Sequence, residues 1–165
     1  VKDGLTITTD NLASVVQAIH RLTGEEILVG IPQANTARRN DDDTSITNAE
    51  IGYIQETGSP AMNIPARPFL VPGVQAVEQG ITKQLEKAAH AALDGSRLDV
   101  EKSFHAAGMV AQNGVRHQIN DGDFKPLAEV TLAARRARGR TGTKPLIDTG
   151  QLRNSVTYVI RDKGK

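Results

Sequence analysis

Residues 72–119, PGVQAVEQGITKQLEKAAHAALDGSRLDVEKSFHAAGMVAQNGVRHQI, decide the fold. Val74, Val77, Ile81, Leu85, Ala88 and Ala92 recur at steps of three or four, which predicts one helix over 72–93. Asp94-Gly95-Ser96 breaks it. A second helix is expected over 99–119, capped by Asp99, with the stripe Phe104, Ala107, Ala111, Val115 and Ile119. A connection this short makes the two an antiparallel hairpin. Small residues on both stripes let the backbones approach. Gly108 and Gly114 each weaken the second helix by roughly 1 kcal/mol relative to Ala, so each marks a kink or a close contact.

Upstream, Asp10 caps an expected helix over 10–22. Leu12, Val15, Val16, Ile19 and Leu22 form one stripe predicted to be buried, and Gly24 is the stop. Glu26-Ile27-Leu28-Val29-Gly30-Ile31, ended by Pro32, is short and β-branched and predicts a strand. Residues 33–46 have no apolar period and predict a long loop carrying Arg38, Arg39 and the trio Asp41, Asp42 and Asp43. Thr47 followed by Glu50 is a capping-box pattern that starts a short helix, with Ile51 and Ile54 on its apolar side and Gly58 at its end. Four of the seven prolines fall in 59–73, so that stretch is expected to be stiff and mostly extended. Phe69 would anchor this strap. Arg67, alternating away from it, would pair with a carboxylate.

Downstream, 120–123 is a turn and 127–138 is expected to be helical. Arg135, Arg136, Arg138 and Arg140 crowd the helix end, before a flexible stretch at 139–144. Asp148 and Thr149 would cap a single helical turn presenting Leu152 and Arg153. Val156-Thr157-Tyr158-Val159-Ile160 predicts a last strand. The expected fold class is α+β, a small, mostly antiparallel sheet packed with a long helical hairpin and shorter helices. The loop at 33–46 or the segment 143–147 is a candidate for further strands. Residues 1–165 fit one domain with a basic, partly extended segment at 121–165.

Composition narrows the function. The 165 residues carry 20 Lys+Arg and 19 Asp+Glu, yet the charges are segregated. Residues 1–120 hold 10 basic and 14 acidic side chains, and 121–165 hold 10 and 5. The absence of Cys excludes disulfide scaffolds, cysteine nucleophiles and Cys-based metal sites. Only five residues are aromatic, Tyr53, Phe69, Phe104, Phe124 and Tyr158, which argues against base-stacking platforms. No apolar run is long enough for a membrane span, and no signal pattern opens the sequence.

Chemical motifs are equally sparse. His20, His90, His105 and His117 form no paired metal-ligand motif. Asp41 to Asp43 lack the spacing of a calcium loop. Residues 139–145 fail the phosphate-loop spacing, and no serine sits in a nucleophile elbow. Neither an enzyme nor a bound cofactor is expected. The arginine cluster fits phosphate contact, an acidic neighbouring subunit, or simply a solvated basic helix end that the macrodipole favours.

Three blocks carry a family resemblance. They are Ile27-Leu28-Val29-Gly30-Ile31-Pro32; Ala49-Glu50-Ile51-Gly52-Tyr53-Ile54-Gln55-Glu56-Thr57-Gly58 leading into Ile64-Pro65-Ala66-Arg67-Pro68-Phe69-Leu70; and Pro126-Leu127 with Thr131, followed by Pro145-Leu146-Ile147-Asp148-Thr149-Gly150-Gln151-Leu152-Arg153-Asn154-Ser155. In this the chain resembles the neck and tail-completion (head–tail joining) proteins of tailed bacteriophages of the lambda-like and Mu-like kinds. Gln55 stands where that family often has histidine, and Phe124 stands near a common tryptophan.

The resemblance implies a structural virion protein, assembled in the bacterial cytoplasm. It would form a ring, six copies preferred and twelve the alternative. Its neighbours would be connector and tail-tube proteins, and DNA would pass through its lumen. On this reading three regions make the assembly contacts: the loop with Arg38, Arg39, Asp41, Asp42 and Asp43; the strap with Arg67 and Phe69; and the segment carrying Arg135, Arg136, Arg138, Arg140, Asp148, Thr149, Leu152 and Arg153. The alternative is a nucleic-acid-binding module using the basic C-terminal segment.

Overall fold

The computed structural model describes residues 12–35 and 46–164. It is mostly helical, with one two-stranded antiparallel sheet. In chain order the elements are α1 (Leu12–Gly24), β1 (Glu25–Gly30), α2 (Asn48–Thr57), α3 (Leu70–Gln75), α4 (Glu78–Leu93), α5 (Arg97–Asp121), α6 (Glu129–Ala137), α7 (Gln151–Ser155) and β2 (Thr157–Asp162). Short 3₁₀ turns occupy Gln33–Asn35 and Pro60–Met62. Asp10 and the loop residues Arg38, Arg39, Asp41, Asp42 and Asp43 lie outside the described residues.

The helix α5 organises everything else. Its expected stripe is real: Phe104, Ala107, Ala111, Val115 and Ile119 are all buried. α4 returns alongside it as the second arm of a hairpin, and the hairpin packs against the sheet. β1 pairs with β2 from Glu25↔Asp162 to Gly30↔Thr157. That pairing brings the two β-branched runs, 130 residues apart in sequence, onto the same helix. Segment 143–147 contributes no strand.

The core lies toward the C-terminal end of α5, where Val115 and Ile119 meet Phe69, Leu146, Leu152 and Val156. Burying side chains of this size contributes about 1.5–3 kcal/mol each. Phe69 anchors the strap there, as its bulk suggests. Leu152 also belongs to this core, so α7 presents it inward rather than to a partner.

Both glycines of α5 mark close contacts. A Cβ on Gly108 would fall 2.3 Å from the Tyr158 ring, and one on Gly114 would fall 2.4 Å from the carbonyl oxygen of Gly73. The second contact explains a correction. The expected single helix over 72–93 is two helices, α3 and α4, broken at Ala76–Val77. Backbone contact between Gly73 and Gly114 draws α3 onto α5. The Val77 N–H turns to the carbonyl of Val74, three residues back, and α4 restarts from there.

The helix starts differ in how local they are. The capping box of α2 is complete. The Glu50 N–H donates to Thr47 Oγ1 at 3.2 Å, and the Thr47 N–H donates to Glu50 Oε2 at 2.7 Å. In α5 the cap position is Ser96 rather than Asp99; Asp99 lies in the first turn and accepts the Ser96 hydroxyl at 2.6 Å. Gly58 ends α2 with φ +78°, a left-handed value that suits glycine.

The Glu50 carboxyl is held below its ordinary value near 4.5, first by the Thr47 N–H and then by the Thr47 hydroxyl. A lowered folded-state value means this contribution is present above the ordinary value and is lost as pH falls through the folded one. Thr47→Ala is expected to cost about 1 kcal/mol at neutral pH. The gap between variant and parent melting temperatures should then narrow below pH 4.5. A pH-independent gap in thermal melts would remove the Thr47 hydroxyl–Glu50 bond from the account, because alanine keeps the backbone N–H that holds the same carboxylate.

The α1 stripe also departs from expectation. Val15 and Leu22 are half-buried, but Leu12, Val16 and Ile19 are 69%, 43% and 48% exposed. α1 is held from one side, by α4 and β1. The apolar residues share one sector that is wider than the side this contact covers, so Leu12, Val16 and Ile19 stay outside.

Candidate functional site

The region that carries the sequence motifs is a hydrogen-bonded knot joining α2, the proline strap, α6 and the 139–152 segment. It is built from three side chains, Glu56, Arg67 and Arg135.

Glu56 lies in the last turn of α2, the end where its own helix dipole disfavours a carboxylate. It serves another helix. Its Oε2 accepts the Phe69 N–H at 2.7 Å and the Leu70 N–H at 2.9 Å, and its Oε1 accepts the Val71 N–H at 3.2 Å. α3 has no side-chain cap of its own at Phe69. Glu56 supplies it from outside, neutralising amide donors at the start of α3. Sequence reasoning placed Glu56 in a motif but gave it no role. An acidic residue at the unfavourable end of a helix was the available signal.

Arg67 is buried and its partners are neutral acceptors. Nε donates to the Lys125 carbonyl at 2.9 Å, one terminal nitrogen to the Pro126 carbonyl at 3.0 Å, and the other to Gln55 Oε1 at 3.2 Å. Its backbone N–H donates to the Gln55 carbonyl at 2.6 Å. The expected carboxylate is replaced by two successive main-chain carbonyls. Their spacing matches the planar fork of a guanidinium, and Pro126 can offer only a carbonyl. Burial, then the charge of Arg135, pushes the Arg67 guanidinium below its ordinary value. Arg67 therefore faces the interior and staples the strap to the 122–128 segment.

Arg135 is also buried, against expectation. One terminal nitrogen donates to the carbonyls of Gly142, Lys144 and Ile147 at 2.9, 2.9 and 3.0 Å; the other donates to that of Pro145 at 3.2 Å. The stretch read as flexible is wound around a guanidinium. Asp148 balances the charge, 3.6 Å from Arg135 Nε and 2.7 Å from an Arg140 nitrogen. Asp148 is thus an ion-pair partner rather than a helix cap; the residue at the cap of α7 is Gly150, with no side-chain cap from Asp148 or Thr149. Arg136 pairs with Glu129 on its own helix. Arg138 follows at the C-terminal cap of α6. Arg153 donates to Asn120 Oδ1 at 3.4 Å and to its neighbour Asn154 at 3.2 Å.

The predicted basic face is therefore divided. Arg135 points inward, and Arg136 and Arg140 are engaged by carboxylates. What the structure leaves open here is a cleft of about 200 Å³ between α2, α6 and the 145–152 segment, lined by Gln55, Leu127, Thr131, Arg135, Asp148 and Thr149. Among the described residues no cluster of His, Asp and Glu could hold a metal ion. Among the same residues no helix is long and apolar enough to cross a membrane.

The three sequence blocks converge on Gly52, which is buried in α2. A methyl group placed there would lie 2.9 Å from Ile31 Cδ1, 3.6 Å from Leu152 Cδ1 and 3.7 Å from Phe69 Cζ. Comparison with family models, curated proteins and solved structures found no match to the chain.

Proposed function

We propose that the protein is a structural component of a tailed-bacteriophage head–tail junction, of the neck or tail-completion kind, that assembles as a ring. In this role it joins the capsid connector to the tail and leaves a lumen for DNA, with no catalytic chemistry of its own. The observation that carries the reading is the convergence at Gly52. Blocks far apart in sequence, each noted for the same family resemblance, supply Ile31, Phe69 and Leu152 to one contact. That shared packing site supports reading the three blocks together. The internal use of Arg67, Arg135 and Leu152 moves the proposed subunit contacts away from those side chains and onto exposed surface.

The ring is taken as six copies, with twelve as the alternative. The test is mass by light scattering over a concentration series, with electron microscopy of the same samples and DNA binding at two salt concentrations. Closed rings of about six times 17.7 kDa, with negligible DNA binding, are expected. A chain that stays small and shifts duplex DNA with a steep salt slope would replace this reading with a nucleic-acid-binding one.

A further inference from the structure

Two apolar surfaces on this chain stand open to solvent. The first is a ridge on α1. Leu12, Val16 and Ile19, at i, i+4 and i+7, stand out as a row of aliphatic side chains, all substantially exposed. The second is a cleft of about 440 Å³ where the hairpin meets the sheet, lined by Ile27, Val29, Val74, Ile81, Leu85 and Phe104 among others. Phe104 is buried at its base; Ile27, Val29, Val74 and Ile81 are half-buried, and Leu85 at the rim is 40% exposed. The cleft therefore opens to solvent.

We infer that the α1 ridge of one copy seats in the hairpin–sheet cleft of the next, giving a head-to-tail contact between copies of this chain. The inference rests on the ring reading above and names the contact that would build it. Three observations favour a second copy as the occupant. The cleft is of a size to take a few aliphatic side chains, which is what the ridge offers. Its lining is aliphatic or aromatic apart from Glu25. On the ridge side, His20 sits one helical turn beyond Val16, placing an N–H donor beside the aliphatic row for that carboxylate to accept.

Ridge and cleft are different surfaces of one chain. A contact between them is heterologous: it leaves an unused ridge at one end of any short assembly and an unused cleft at the other. Addition continues until rotation closes a ring. Burial of apolar surface on both sides supplies a driving force that falls little with salt, unlike contacts between charged segments.

The absence of cysteine makes the test clean, because Val16→Cys and Leu85→Cys variants each carry a single thiol. Both positions are exposed enough to accept the change without disturbing the core. The two variants are mixed and treated with a short bismaleimide, each end of which adds one thiol across its C=C bond, with each variant alone as control, and the products are sized and imaged. The expected result is a covalent dimer from the mixture, several-fold more abundant than from either variant alone. Ile19→Asp is expected to weaken association at least tenfold, while Val130→Asp, an exposed site on α6, leaves it unchanged.

Three outcomes overturn the contact: Val16→Cys alone cross-linking as well as the mixture, which signals a two-fold ridge-to-ridge dimer; rings that form without the mixed adduct; or no adduct at any concentration. Rings without the adduct reject this contact and keep the ring reading. The mixed adduct in open chains keeps the contact and rejects the ring.

Discussion

Arg135→Ala is expected to lower the unfolding free energy by about 3 kcal/mol, which moves a urea midpoint by about 1.5 M at a slope near 2 kcal/mol/M. A single guanidinium satisfies the carbonyls of Gly142, Lys144, Pro145 and Ile147 and lies beside the Asp148 carboxylate. Hydrogen bonds to a charged donor are worth about 1.5–3 kcal/mol each when lost singly. The sum is discounted because the tip of this segment is exposed and water can replace part of the set. Leu146, held in the core by the same winding, would lose its seat as the loop opens.

Arg135→Lys should recover little of the loss. An ammonium is a point donor and cannot span acceptors that a planar fork reaches from one position. The substitution also separates the two readings of the basic segment. A phosphate-binding Arg135 would leave stability nearly unchanged and reduce DNA affinity together with its salt slope. A structural Arg135 does the reverse, and denaturation with a DNA titration on the same sample decides between them.

What could be read from the sequence was what is decided locally or by period. The capping box is four residues long and requires nothing distant. The α5 stripe repeats over 16 residues, Phe104 to Ile119, and every expected position is buried. The two strands were visible because their short length and β-branched content favour a strand over a helix. Features set by a partner far along the chain were hidden. Arg67 and Arg135 look like surface cations because their acceptors are main-chain carbonyls, which every residue has and no composition reveals. Glu56 caps a helix that begins 14 residues later. The α1 stripe shows that apolar residues share a sector, but periodicity says nothing about how wide a neighbour covers it. The break at Ala76–Val77 depends on where another helix crosses, although Gly73 and Gly114 were in plain view.

That crossing gives the second large effect. Gly114→Ala is expected to destabilise the protein by about 2 kcal/mol, even though alanine is the better helix former by roughly 1 kcal/mol. The added Cβ would sit 2.4 Å from the Gly73 carbonyl oxygen and 2.6 Å from Val77 Cγ2. One obstacle is backbone and the other a β-branched side chain with little rotamer freedom, so α3 must move off α5. Gly73→Ala meets the same crossing from the other side, 2.6 Å from the Val115 Cα, and should behave alike. Gly108→Ala should cost less, because its obstacle is the Tyr158 ring, which can swing outward by giving up its 3.0 Å hydrogen bond to exposed His105. Gly80→Ala is the internal reference. Its Cβ would meet only Val110 Cγ1 at 3.1 Å, and the helix-propensity gain offsets that contact. Thermal melts of the four variants should rank Gly80→Ala highest, then Gly108→Ala, with Gly114→Ala and Gly73→Ala lowest. If Gly114→Ala melted at or above the parent, the α3–α5 contact would have room for a side chain. The break at Ala76–Val77 would then need a cause other than this close approach.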